Sequence, residues 1–387
     1  MFWPLMKNCI TAEDRYQMID FIATADRFTN GPKVRQFEEE WSKWLGCEYS
    51  LYVSSGSTAN LLLISAVKEK YNLKKGDKVI VPAMTWVTNV SPIFQLGLEP
   101  VFCDINITDF GFDLEHLKEI KQEHNDIKVV FVTHLFGIPA KVDLYKEIFP
   151  EAIFLEDACE SHGATHEGKK VGTLGVGSTF SFYFGHHMTT VEGGFVCTDD
   201  KDLYNIMRMK RSHGMAREAL PEKFEEYKKE YPDVHPQFLF MTDGYNLRSM
   251  EINAVLGLSQ LKRLDDSIKR RQELYGRFLE LIAPYKSLIK PTQDGNSSYC
   301  LPFICKTAKM KEQLEVFLRE NGVETRPLCS GNLLRQPFLN QYKIDRSSGV
   351  DFLHDHGFFI GNNHLITDEE FHKLSALLSE YLPANEL

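Results

Sequence analysis

Short apolar runs, each closing on small or polar residues, recur through the first half of this chain and limit what it can fold into. Residues 49–53, 79–81, 100–104, 129–133, 153–155 and 194–198 have the length and composition of strands buried between layers. Helix-forming stretches follow at 59–71, 89–96, 114–124 and 203–210. Parallel neighbours in a sheet need long crossover connections, which helices supply. The alternation therefore predicts a large, mostly parallel sheet covered by helices. Such sheets gather their chemistry where strands end. The segments to inspect are then Ser54-Ser55-Gly56-Ser57-Thr58, Pro82-Ala83-Met84-Thr85-Trp86, His134-Leu135-Phe136-Gly137 and Glu156-Asp157-Ala158-Cys159-Glu160.

Outside this rhythm, residues 12–24 are amphipathic, Phe28-Thr29-Asn30-Gly31-Pro32 reads as a turn, and a helix runs from there into Leu45. Residues 218–233 are charged and glutamate-rich, a loop or exposed helix, and long helices are expected at 250–264 and 268–281. From residue 299 the pattern changes to a strand at 301–305, a helix at 309–321, a polar connection at 324–326 and a last helix at 371–381. Thr367 followed by Asp368-Glu369-Glu370 reads as the cap and acidic first turn of that helix. The expected division is a large unit, 1–250, and connecting helices with a small α+β unit, 251–387.

A formal charge of −10 argues against nucleic acid as a partner. No apolar run is long enough to span a bilayer and no charged leader precedes one, so a cytoplasmic, membrane-free protein is expected. The eight cysteines form no C-x-x-C pair and read as small buried hydrophobes, so no metal is expected.

Residues 178–194 crowd the most chemistry into the least space. Alternating serine and aromatic residues predict a buried strand over 180–184, followed by His186, His187, a threonine pair and Glu192-Gly193-Gly194. In isolation this is equally a polar hairpin. Likewise Ser57 and Thr58 suit either an anion nest or an ordinary helix cap, Trp86 suits core packing, and the basic run from Arg208 to Arg217 suits solvated surface.

Taken together, Ser55-Gly56-Ser57-Thr58, His134-Leu135-Phe136-Gly137, Glu156-Asp157, Ser181-Phe182, Glu192-Gly193-Gly194 and Gly244-Tyr245-Asn246-Leu247-Arg248 resemble the sugar-nucleotide aminotransferases, vitamin B6 enzymes of the aspartate-aminotransferase fold type I. The resemblance runs from Gly31-Pro32 to the terminal helix. It implies pyridoxal or pyridoxamine phosphate as cofactor and a homodimer with shared sites. By the same resemblance Asp157 pairs with the pyridine nitrogen, Trp86 stacks on the ring, and Glu160 lies toward the ring hydroxyl. Gly56, Ser57, Thr58 and Ser181 hold the phosphate, with Asn246 reaching it from the neighbouring subunit.

The family places its Schiff-base lysine six positions before the glutamate, and here that position is His186. No lysine lies between Val171 and Asp200. Histidine cannot hold the cofactor covalently, but it carries protons near neutral pH. This pattern is similar to the deoxysugar 3-dehydratases of the family. It implies an unlinked cofactor, a nucleotide-linked 4-keto-6-deoxyhexose as substrate (GDP-4-keto-6-deoxy-D-mannose first), and glutamate as amino donor leaving 2-oxoglutarate. His186 is the expected base, with His187, His213, Arg217 and Arg326 as weaker substrate contacts. A related group uses an iron-sulfur centre, but residues 198–299 contain no cysteine to ligate one. The alternatives are an aminotransferase with an atypical histidine and a non-catalytic sugar-nucleotide-binding homologue.

Overall fold

The computed structural model describes residues 1–344 and 348–384. The large sheet contains β1 (Tyr49–Val53), β2 (Lys78–Pro82), β3 (Glu99–Cys103), β4 (Ile127–Thr133) and β5 (Ile153–Asp157). A small hairpin, β6 (Thr165–His166) and β7 (Lys169–Lys170), precedes its last strands, β8 (Gly177–Ser181) and β9 (Gly194–Thr198). The spatial order is β1-β9-β8-β5-β4-β2-β3. The sheet is mixed, with β8, β5, β4, β2 and β3 parallel and β9 antiparallel to both its neighbours.

Successive residues of the central strands feed opposite faces, as the pleat requires. Val79, Val81, Val129, Phe131 and Leu155 join one core with helix Gly56–Lys70, whereas Ile80, Val130, Val132 and Phe154 join another with helices Leu114–Glu123 and Val142–Ile148. A third core, aromatic, gathers Phe37, Trp41, Tyr52, Phe180, Phe182 and Phe195 beside β8 and β9. Its outer wall is built by helices Pro32–Leu45 and Glu251–Leu261. Glu251, 1% exposed, fastens them: Oε1 accepts from Gly31 N (2.7 Å) and Val34 N (2.9 Å), and Oε2 from Lys33 N (2.9 Å). A carboxylate at a helix start meets free N–H groups and the positive end of the helix dipole.

The second sheet, β10 (Leu288–Ile289), β11 (Cys300–Cys305), β12 (Thr325–Pro327) and β13 (Gly357–Gly361), has the order β10-β11-β13-β12 and is antiparallel. The N-terminal segment joins it: Trp3 is fully buried and its indole N–H donates to the Gly361 carbonyl at 2.8 Å.

Two expectations change, and one open alternative is decided. The strand expected over 180–184 is Gly177–Ser181, because the ladder with β9 ends at the pair Ser181–Gly194 and the chain then turns through a loop with Val191 at φ 69°. Of the two readings of the charged stretch, the exposed helix holds: Pro221–Glu230 carries no buried residue. Residues 325–327 are an edge strand rather than a connection, and Pro327 is tolerated there because an edge leaves N–H positions unpaired.

Candidate active site

Strand ends β1, β2, β5 and β8 deliver the expected residues to one region. Asp157 closes β5 and is 5% exposed. Its Oδ2 accepts from Asn60 Nδ2 and Asn89 Nδ2, both at 2.9 Å, and its Oδ1 from Cys159 N at 2.9 Å. Among the described residues no cation pairs with it. Three neutral donors thus hold a buried carboxylate whose counter-charge must come from elsewhere.

Beside it, helix Gly56–Lys70 begins with a reciprocal cap: Ser55 Oγ accepts from Thr58 N (3.1 Å) and Thr58 Oγ1 from Ser55 N (3.0 Å). Thr58 therefore serves the cap, while Ser57 stands exposed. The backbones here are as close as glycine permits. A Cβ on Gly56 would lie 2.6 Å from Ser181 Cβ, and one on Gly194 2.6 Å from the Ser55 carbonyl. The helix N-terminus, Ser181 and the Glu192-Gly193-Gly194 turn thus form one small cradle, at which the first-turn N–H groups of Gly56 and Ser57 have no intrahelical partner, suited to an anion. Trp86 follows β2 and is 58% exposed, unusual for so large an apolar residue.

Glu160 Oε2 accepts from Phe136 N at 3.0 Å. Burial, reinforced by Asp157, pushes its carboxyl up to about 7. The other motif residues are scaffold. His134 takes the Ala140 N–H on Nδ1 (3.0 Å) and faces Glu156 Oε2 through Nε2 (3.0 Å). Glu156 in turn receives the N–H groups of Gly172, Leu174 and Gly175.

His186 lies in the loop between β8 and β9, half-buried, with Nδ1 enclosed and unpartnered among the described residues. Its backbone N–H donates to the Tyr183 carbonyl (3.0 Å), its carbonyl accepts from Arg271 Nη2 (3.4 Å), and its ring lies 5.4 Å from that of Tyr299. Burial, and then the Arg271 charge, lower its pKa to about 3, so the ring is neutral at neutral pH. His187, expected as a substrate contact, is 1% exposed and bonded through Nε2 to the Ser297 carbonyl at 2.6 Å. It faces the interior because residues 296–299 close over it.

His213, Arg217, Asn246 and Arg326 are all exposed. The first and third are brought together, His213 N donating to the Tyr245 carbonyl at 2.7 Å. The Leu247 carbonyl accepts from Ser54 N at 3.0 Å, which ties this segment to the end of β1. Arg217 Nη1 reaches the Gln237 carbonyl at 3.4 Å, and Arg326 sits on the edge strand β12. Neither bonds to the Asp157 cluster.

Asn60, Asn89, Arg271 and Tyr299 were not expected at the site. Asn60 had a signal, a lone amide on the apolar face of a helix. The others are defined only by tertiary partners.

A buried uncompensated carboxylate, an exposed indole and a glycine-lined helix N-terminus fit a flat, cationic, phosphorylated ring such as pyridoxal phosphate. Comparison with known proteins agrees with this chemistry. The family model "DegT/DnrJ/EryC1/StrS aminotransferase family" matches residues 9–373. GDP-4-keto-6-deoxy-D-mannose 3-dehydratase of Escherichia coli is 35% identical over 375 residues, 94% of this chain and 96% of that protein. The E. coli GDP-4-keto-6-deoxy-D-mannose-3-dehydratase structure with bound hydrated PLP has a TM-score of 0.90 at 33% identity, covering 97% of this chain and 99% of that one. A GDP-4-keto-6-deoxymannose-3-dehydratase structure with a trapped PLP-glutamate geminal diamine gives 0.88 at 32% identity, over 97% and 100%. This chain is a member of the DegT/DnrJ/EryC1/StrS aminotransferase family.

Proposed function

We propose that the protein removes the 3-hydroxyl from a nucleotide-linked 4-keto-6-deoxyhexose, with GDP-4-keto-6-deoxy-D-mannose as the preferred substrate. The observation that carries this is His186 at the position of the family's lysine, neutral and with one nitrogen open, in a loop devoid of lysine. The relatives named for this dehydration support it, one of them with hydrated PLP bound. Pyridoxal or pyridoxamine phosphate, bound without a covalent link, supplies an electron sink conjugated to the substrate's carbonyl carbon.

Asp157 would hold the protonated ring nitrogen with its buried carboxylate. The Gly56-Ser57-Thr58 turn and Ser181 would receive the phosphate, and Trp86 would lie against the ring. His186 Nε2 accepts the carbon-bound proton whose removal lets the hydroxyl leave, and can return it to the departing oxygen. Glutamate is the proposed amino donor, supported by the trapped glutamate in the relative. The exposed Asn246 is proposed to complete the cradle of a second subunit.

The test incubates purified protein with pyridoxamine phosphate, the GDP-linked 4-ketosugar and glutamate, and follows product mass. Loss of the 3-oxygen supports the reading. Net amination, or no change, refutes it. Borohydride reduction should leave no cofactor attached to any lysine.

A further inference from the structure

Two of the free thiols, Cys47 and Cys197, lie on either side of one serine. Ser50 is the rung partner of Cys197 in the β1–β9 ladder, and its Oγ is 3.4 Å from Cys197 Sγ and 3.4 Å from Cys47 Sγ. The Cys197 thiol also hydrogen-bonds to Cys47 directly. Cys47 Sγ is 3.9 Å from Ser42 Oγ and 3.6 Å from the Tyr49 carbonyl. Helix Pro32–Leu45, its exit and two strands of the large sheet thus bring both sulfurs into one cluster.

The two thiols differ in access and in freedom. Cys47 is half-buried, between exposed Gly46 and exposed Glu48. Gly46 caps the helix in the left-handed region at φ 90°, with open space around it. The Cys197 thiol leads in lowering the Cys47 pKa to about 7, helped by the Ser50 and Ser42 hydroxyls and opposed by burial and the Asp199 carboxylate. Cys197 is fully buried, and β9 holds it between Ser50 of β1 and Ser178 of β8. Burial pushes its thiol up. A solvent-reached thiol with thiolate character, beside a second thiol, is the setting in which oxidation ends in a disulfide. Any approach of the two sulfurs comes from the Cys47 side, where the glycine leaves the backbone free to turn, because the ladder fixes Cys197 on both edges.

We propose that Cys47 is a peroxide-reactive thiol and that Cys197 resolves it into an intramolecular disulfide. The Cys47 thiolate attacks one oxygen of hydrogen peroxide. The S–O bond forms, the O–O bond breaks, and the departing oxygen takes up a proton and leaves as water. Cys47, oxidised by two electrons, is then a sulfenic acid. The Cys197 sulfur attacks the Cys47 sulfur, the S–S bond forms, and the hydroxyl departs with the Cys197 proton as a second water. The pair lies three rungs along the ladder from Gly194 at the cradle. The modification therefore touches none of the residues proposed to hold the cofactor, and the inference does not depend on the proposed dehydration.

The test treats reduced full-length protein with a small excess of hydrogen peroxide at neutral pH, blocks the remaining thiols with iodoacetamide, and maps peptides without reduction. Expected are a linked Cys47–Cys197 peptide and the loss of two hydrogens from the intact mass, both reversed by dithiothreitol. Cys47 should be consumed at least about tenfold faster than the fully buried thiols. Cys197→Ser keeps a small side chain and a donor beside Cys47, and there the sulfenic acid should persist and be trapped by dimedone. Cys47→Ser should leave Cys197 reduced. Cys47 remaining reduced in the parent, passing to the sulfinic acid with Cys197 still reduced, or linking to any thiol other than Cys197 overturns the proposal. Should Cys197→Ser not fold, the parent map and Cys47→Ser decide.

Discussion

Replacing His186 with asparagine should separate chemistry from folding. Both main-chain bonds of the residue, to Tyr183 and from Arg271, survive the change. What goes is a half-buried ring touching Tyr299 and His162, together with an unmet Nδ1. Lost packing and removal of an orphaned polar atom oppose each other, so stability should move by no more than about 1 kcal/mol. The Asp157 and Gly56 contacts that would bind the cofactor involve none of these atoms, and pyridoxamine phosphate affinity should stay within roughly threefold. Dehydration loses its positioned proton acceptor, which costs about 10²–10⁴ in rate, or ~2.7–5.5 kcal/mol of barrier. The assay is a single turnover with pyridoxamine phosphate preloaded, following oxygen loss by mass, so that recycling by glutamate cannot limit the rate. If His186→Asn expels the hydroxyl at the parental rate, the base lies elsewhere. If affinity falls as far as rate, His186 is structural.

Asp157→Asn should weaken cofactor binding by roughly 10–150-fold, the worth of one charge-assisted hydrogen bond, in a fluorescence titration; an unchanged affinity would remove Asp157 from the cofactor's ring nitrogen. Glu251→Gln keeps one acceptor for Gly31 and Val34 but sets an NH2 against Lys33 N, and should cost about 1.5–3 kcal/mol in urea unfolding, with a loss below about 0.5 kcal/mol counting against the clamp. The folded His186 ring resists protonation until about pH 3, whereas unfolded histidine protonates near 6.5, so its contribution to stability is full above 6.5 and lost as pH falls through that window, at up to about 1.4 kcal/mol per pH unit. Glu160, raised to about 7, acts oppositely, its contribution fading as pH rises from 4.5 to 7. Unfolding midpoints of His186→Asn should therefore fall less steeply than the parent's below pH 6.5, and parallel curves would contradict the assignment. Sedimentation should find a dimer, and a fully active monomer would exclude a site shared through Asn246.

The large sheet was legible because its strands are buried on both faces and read as unbroken apolar runs; β1 and β9 fall at the expected residues. The strand at 177–181 was displaced because aromatic alternation continues through Phe182, which packs against Phe37 and Trp41 without a ladder partner. Helix Val142–Ile148 gave too short a pattern to be read, and strand Gly357–Gly361 holds only three apolar residues between two glycines. Positions after strands pointed to Asp157, Trp86 and the Gly56 turn, since local chain geometry puts them there. His162, Arg271 and Tyr299 take their meaning from partners far along the chain, and His187 drew attention only as a neighbour of His186.

The anchoring of the His186 loop has a consequence for biosynthesis. His187 is tied to Ser297, 110 residues later, and Arg271 joins His186 to Asn362 at the end of the small sheet. At about 5–20 residues per second, a ribosome needs roughly 10–35 s to add the ~175 residues separating the loop from its last anchor. During that interval the parallel core can assemble while the loop still lacks both restraints. A nascent chain stalled before residue 297 should carry the fold of the large sheet and an unanchored His186 loop, so the proposed site is completed late in translation, well after most of the strand ends around Asp157 have formed.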